Sequence, residues 1–306
     1  MSCRRQPVNA HYGELAALAT AICWAFGSTM FTVSGSRIGS ANVNRGRLVV
    51  AAMLLSLSHL VVNGNLVPVE ASPARWLWLG LSGIVGFIIG DGMLFEAFVL
   101  IGPRLSMLLM SLVPIMSALL AWIFLGESLR FVEMSAIAIT VGGITWVVAD
   151  KSKGNQNTHR RKLLVGIAFG IGGALGQTLG LVLSKKGLEG GFSALSGNVI
   201  RVVCAALILW LITIAGGKMP GTLNSYRDKK AFLTLSAGSF FGPFIGVWLS
   251  LISIKYAKLG IATTLMSLTP IFLIPITKIA FGEKITVGAV LGTAIACAGV
   301  IILLLA

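Results

Sequence analysis

The sequence predicts an all-α integral membrane protein with ten transmembrane helices in two inverted five-helix repeats. Three observations carry this: the composition, ten apolar runs of membrane-spanning length, and motifs that recur at a fixed offset. The 306-residue chain has a mean hydropathy of +0.91 and only 11% charged residues. A soluble domain of this size needs a polar skin that such a sequence cannot supply. A bilayer core about 30 Å thick takes roughly 20 apolar residues per helix, so ten helices use about 200 residues.

In order, the runs are 13–33, 44–62, 76–99, 103–125, 130–149, 163–184, 198–215, 231–253, 260–281 and 285–306. They are too continuous for half-buried strands and too long for helices of a soluble core. The first is longer than a signal-peptide core and reads as a retained helix. The second opens with Asn44 and Arg47, and the third holds Gly86, Gly90 and Asp91. The fourth carries Pro114 at mid-helix. After the fifth comes DKSKGNQNTHRRK, the most polar stretch of the chain. It divides a first repeat, 1–150, from a second, 163–306, with 151–162 as linker. The sixth run carries Gly172, Gly176, Gly180 and Gln177, and the seventh opens with Asn198 and Arg201. Gly242 and Gly246 mark the eighth, Pro270 the ninth, and the tenth is uniformly apolar.

MSLVPI at 110–115 returns as MSLTPI at 266–271, an offset of 156. Gly86 and Gly90 match Gly242 and Gly246 at that offset, Gly126-Glu127 matches Gly282-Glu283, and Gly143 matches Gly299. Asn44 and Arg47 match Asn198 and Arg201 at an offset of 154. Five spans is an odd number, so the second copy enters the membrane from the opposite side. Inverted repeats are the usual architecture of secondary carriers, with the site near the midplane where the halves meet.

The repeated fourth-helix pattern resembles the EamA-type drug/metabolite transporters. It is carried by GPRLSMLLMSLVPIMSALLAWIFLGE (102–127) and GIATTLMSLTPIFLIPITKIAFGE (260–283), with a mid-helix Ser-Leu-x-Pro and a terminal Gly-Glu. The resemblance spans nearly the whole chain and occurs twice. It implies ten helices, a small metabolite or drug as cargo, and a central cavity lined mainly by helices one, three and four of each half. Third and fourth helices are expected to face the eighth and ninth across it. Both termini in the cytoplasm, and the multi-pass plasma membrane of a bacterium or archaeon, are likewise implied. The Lys and Arg count points the other way. The N-terminus and its face carry nine of the 24, against fifteen on the linker face, which the positive-inside rule places in the cytoplasm.

Candidate working residues follow from the cost of polarity in lipid. Proline removes a backbone hydrogen bond and kinks its helix, so Pro114 and Pro270 should loosen the carbonyls of Met110 and Met266. Ser106, Ser111, Ser117, Thr263, Thr264, Ser267 and Thr269 surround the two kinks, either as walls of a cavity or bonded to their own helices. Asp91 lies deep in the third run, and its repeat mate is Val247. A carboxylate at that depth is a candidate for proton coupling or cargo contact, or a structural partner for an arginine. Trp24 and Gln177 occupy comparable places in the first and sixth runs and could face the same cavity. Gly86, Gly90, Gly242 and Gly246 have the spacing that lets membrane helices approach closely. A structural role is expected for Arg47 and Arg201, at helix ends or snorkelling to headgroups, with binding of an anionic cargo as the alternative, and for Glu127 and Glu283 at helix junctions. Glu14 is expected at the first helix N-terminus, and Glu96 near the interface.

A net charge of +14 does not point to nucleic acid, because the basic residues flank apolar runs and form no basic face with interleaved aromatics. His11, His59 and His159 are scattered, so neither a metal site nor a cofactor is expected. No GxxxxGK[ST] loop is present for ATP. Cys3, Cys23, Cys204 and Cys297 make no disulfide framework. The partners expected are a small-molecule solute and the lipid bilayer, with a homodimer left open. The function this supports is an alternating-access secondary transporter, read as an exporter, with proton coupling open. Membrane-embedded enzymes and channel-like pores are the alternatives. The chain lacks HExxH and GxSxG, so it is not expected to be an enzyme.

Overall fold

The computed structural model describes residues 8–125, 131–152, 157–256, 265–283 and 285–305. Ten apolar helices are labelled here in chain order. They are α1 (Val8–Ile38), α2 (Ser40–Asn63), α3 (Pro73–Ile101), α4 (Pro103–Leu109 and Leu112–Leu125), α5 (Phe131–Ser152), α6 (Asn157–Gly187) and α7 (Ala194–Ala215). α8 comprises Lys229–Ser239, Phe240–Gly246 and Val247–Tyr256; α9 is Thr269–Phe281 and α10 Val287–Leu305. Among the described residues, seven helices are long and apolar enough to cross a membrane, and three apolar helices are shorter.

The ends differ from the apolar runs in instructive ways. α5 and α6 extend into the polar stretch read as linker, leaving only 153–156 outside the described residues. α1 begins at Val8, so Glu14 sits in its second turn and not at the N-terminus. A short helix, Met219–Ser225, occupies the connection between α7 and α8.

The halves are woven together. α3 packs chiefly along α6 and α8 along α1, while α2 packs with α7, α4 with α6 and α9, and α5 with α10. The expected juxtaposition of α4 and α9 is found, whereas α3 and α8 each take the first helix of the other half as main neighbour.

Individual contacts repeat under exchange of the halves. A Cβ on Gly180 would lie 2.9 Å from Gly86 Cα, and one on Gly27 would lie 3.2 Å from Gly242 Cα. A Cβ on Gly143 would meet Ala296, and one on Gly299 would meet Thr140. Each pair maps onto the other when the repeats are swapped. A side chain on Gly180, Gly27, Gly143 or Gly299 would intervene between closely packed helices, and such close approach is how membrane helices gain packing energy in lipid.

The repeat also preserves a rare backbone feature. Ile84–Gly90 in α3 and Phe240–Gly246 in α8 are π-helical turns at the 156-residue offset. Such turns are uncommon and gather at functional sites. In α8 the turn contains Pro243, which has no N–H to give. No proline lies in the α3 turn; there, side chains from other helices bond to its carbonyls, as described below.

The proline kinks fall where the sequence places them. α4 breaks at Met110–Ser111 and the α9 segment at Ser267–Leu268. The Met110 carbonyl accepts the Val113 N–H at 3.0 Å, and the Met266 carbonyl accepts the Thr269 hydroxyl at 2.8 Å. Local donors thus satisfy the carbonyls loosened by proline, as membrane depth demands.

Candidate functional site

Phe87, Asp91 and Phe95 follow one another at four-residue spacing on α3, so they share a face. Arg47 of α2 lies over that face. Its guanidinium carbon is 5.7 Å from the Phe87 ring centre and 4.7 Å from that of Phe95, and its Nη2 donates to Asp91 Oδ2. Both partners are buried, Arg47 at 5% and Asp91 at 7% exposure. Arg47 therefore does not snorkel; it reaches inward to the buried carboxylate of Asp91.

Two amides complete the cluster. Gln177 Nε2, from α6, donates to Asp91 Oδ1 and to the Gly86 carbonyl at 3.3 Å. Asn44 Nδ2 donates to the Phe87 carbonyl at 2.9 Å, while Asn44 Oδ1 accepts from Arg47 Nε at 3.0 Å. Gly86 and Phe87 belong to the π-helical turn, so these amides add bonds to carbonyls of the distorted ladder, that of Gly86 also accepting the Asp91 N–H. Arg201 of α7 stacks on Phe87 at 4.6 Å, with Asp91 within electrostatic reach. Four helices thus meet in one buried polar cluster.

The equivalent position in the other half is apolar. Val247 replaces Asp91, and Trp24 stands where Gln177 stands, its ring edge against Gly246. Trp24 packs with Ala17, Leu265 and Met266. Hence Trp24 and Gln177, paired by sequence comparison, occupy equivalent places but do not meet.

The hydroxyls around the kinks are placed differently from the cluster. Ser106 donates to the Gly102 carbonyl at 2.8 Å and Thr269 to Met266, both within their own segments. Ser111 is buried, and Pro114 and Ser267 are half-buried. Pro270 is buried at the start of α9. Thr263, Thr264 and Glu127 lie outside the described residues, as does the side chain of Ser117.

Polar contacts gather the ends of α1 and α9 and the starts of α4 and α8 at the end of the bundle where α5 runs into the linker. Two charged pairs tie the halves there. Arg37 at the end of α1 donates from Nε to Asp228 Oδ2 at 2.7 Å, and Arg104 at the start of α4 donates to Glu283 at 3.0 Å. Neighbouring polar contacts join Ser40 to Glu96, Arg45 to Thr222 and Asp150 to Thr286. Glu96 is therefore half-buried at this end. Among the described residues, ties at the opposite face include Arg75 to the Glu189 carbonyl at 3.2 Å and His59 to Ser196 at 3.0 Å.

Sequence reading allowed Asp91 an arginine partner but did not identify that partner as Arg47. It also missed the Arg104–Glu283 pair.

The chain matches the EamA-like transporter family over residues 11–149 and 164–305, once for each half. Comparison with the curated proteins finds no match. A solved structure described only as "Crystal structure of protein" shares the fold, with a TM-score of 0.62 and 15% identity over 95% of this chain and 94% of that chain. Two matches, one to each half of a duplicated all-helical membrane fold, establish that the chain belongs to the EamA-like transporter family and is a multi-pass membrane transporter of the drug/metabolite transporter superfamily.

Proposed function

We propose that the protein is a secondary carrier that exports a small organic solute across the plasma membrane of a bacterium or archaeon by alternating access. The observation that carries this reading is the exchange symmetry of the contacts. α3·α6 and α8·α1 meet through equivalent glycines, so each half can adopt the packing now shown by the other, giving two states of similar energy. The charged pairs Arg37–Asp228 and Arg104–Glu283 support a state closed at the linker face. In the first repeat Glu127 corresponds to Glu283, but Gly260 corresponds to Arg104, so the same charged latch is not encoded for the other face. Repeats at 1–150 and 163–306, both termini in the cytoplasm and no catalytic role complete the reading.

Asp91 is the coupling residue in this scheme. A proton on Asp91 would release Arg47 and Gln177 together and so free the π-helical turn of α3. Asp91→Asn keeps the shape and removes the charge. In proteoliposomes loaded with a metabolite panel, the variant is expected to exchange cargo between the two sides and to lose accumulation driven by a proton gradient. Unchanged driven transport by a well-folded Asp91→Asn protein would remove the residue from coupling. In that event the kinked segments at Pro114 and Pro270 become the better candidate.

A further inference from the structure

We propose that Arg201, together with Gly86 and Gln177, is the docking point for an anionic group of the transported solute, a carboxylate or a phosphate. The proposal rests on the carrier reading above. It comes from the charge balance of the buried cluster: two guanidinium groups, Arg47 and Arg201, face one carboxylate, Asp91. Arginine does not give up its proton in proteins, so one positive charge is left uncompensated. Such a charge at membrane depth is costly unless an anion meets it.

Arg201 differs in this from the other ion-pairing arginines. Arg37, Arg47 and Arg104 each reach a carboxylate, of Asp228, Asp91 and Glu283. Among the described residues Arg201 reaches none; its buried Nε, like those of Arg45 and Arg104, has no hydrogen-bond partner. The Phe87 ring at 4.6 Å orients the guanidinium plane without neutralising it. Asp91 Oδ2 takes Arg47 and Oδ1 takes Gln177, and no hydrogen bond joins Arg201 to either oxygen.

Space exists at the tip of the side chain. A methyl group built on Gly86 would lie 3.6 Å from Arg201 Nη2 and 3.9 Å from Gln177 Oε1, in ordinary contact. The glycine thus leaves a methyl-sized gap in front of the guanidinium. The repeat adds a second reason. Duplication carries the arginine into both halves, but Val247 stands where a carboxylate would have to stand to repeat the Asp91 pair. An arginine kept for a structural ion pair would need that carboxylate; one that receives an anion from outside would not.

The test is binding to the full chain in neutral phosphatidylcholine nanodiscs, at constant ionic strength balanced with gluconate. Benzoate and inorganic phosphate are the anionic probes, and benzamide is the uncharged control. A ligand that binds the folded state raises the melting temperature saturably. Benzoate or phosphate is expected to do so and benzamide is not. Arg201→Gln is expected to weaken half-saturation by about tenfold or more, as loss of a charge-assisted contact does. Gly86→Ala introduces no clash yet fills the gap, so it should weaken binding while leaving the melting temperature without anion unchanged. Absence of saturable stabilisation in the wild type, or equal stabilisation in Arg201→Gln, overturns the proposal. Stabilisation by phosphatidylglycerol discs alone, lost in Arg201→Gln, would assign the site to a lipid headgroup and overturn the cargo role. Binding does not require transport, so an anion-binding protein that moves nothing across liposomes would sink the carrier reading and leave the site standing.

Discussion

The contact of α3 with α6 and that of α8 with α1 share their packing and differ in their polarity. Both rest on glycine backbones, Gly86 on Gly180 and Gly242 on Gly27, and both include a π-helical turn. The cause of the turn differs. In α8, Pro243 removes a donor, so the distortion is written into the covalent chain. In α3, the amides of Gln177 and Asn44 bind the turn's carbonyls. One turn is therefore fixed, while the other depends on side chains that also contact Asp91 and Arg47. Both halves keep the scaffold, and they differ in whether the turn carries a proline of its own or bonds from side chains of other helices.

Removing one partner of the buried pair gives the sharpest contrast. Arg47→Met leaves Asp91 without its guanidinium and should destabilise the protein by about 3–5 kcal/mol. Arg201→Met leaves no carboxylate unpaired and should cost clearly less, or stabilise. Melting temperatures of the two purified variants decide, and equal losses would erase the distinction between the arginines.

Packing gives the next effect. A Cβ on Gly176 would lie 2.5 Å from Gly90 Cα, backbone against backbone, whereas one on Gly242 would lie 3.4 Å from the Phe31 ring edge. Gly176→Ala is expected to cost about 1–3 kcal/mol, the usual range for overpacking. Gly242→Ala should cost less than Gly176→Ala, and the reverse order by thermal unfolding would contradict the described approach of α3 and α6.

Asn44→Leu removes the hydrogen bond to the Phe87 carbonyl and the one accepted from Arg47 Nε, and should cost about 1–2 kcal/mol. Its signature is local: hydrogen exchange should rise in 84–90 and stay unchanged in 240–246, where proline fixes the turn. Equal change in both turns would show that their causes do not differ.

The smallest effect lies at the linker face. The hydrogen bond from Arg37, with help from the Ala231 N–H, holds the Asp228 carboxyl below its ordinary value. A depressed carboxylate contributes stability above its unfolded pKa and loses it as pH falls through the folded value. Asp228→Asn should therefore melt slightly earlier than wild type at neutral pH, and the gap should close below about pH 4, the ordinary carboxylate range. Tyr226 nearby, pushed up to about 12 by burial, stays protonated throughout and does not blur the comparison.

Much of the fold was legible in the sequence. Apolar length gave the helices, and the 156-residue offset gave the duplicate glycines whose contacts the structure repeats. Pro114 and Pro270 announced their kinks, because proline acts on its own helix. The cluster was only half legible. Depth singled out Asp91, and comparison of the halves singled out Gln177 and Arg201, since each is a local property of one position. The Arg47–Asp91 bond joins residues 44 positions apart, and no local pattern encodes which helices become neighbours. The α3 turn was illegible for the same reason: its cause lies on α2 and α6.

The weaving of the halves bears on the order in which the chain is made. Gly143 of α5 abuts Ala296 of α10, and Gly292 abuts Val147 of α5. When the ribosome has delivered the first five helices, every one of their main partners is still unsynthesised. Glycine-lined grooves then face lipid, and Asp91 and Arg47 have only each other and Asn44. The first half is thus an assembly intermediate with a lifetime set by translation, and its survival depends on how fast α6 to α10 arrive. Synonymous codons that slow elongation between 150 and 306 should lower yield without altering a single contact in the finished protein.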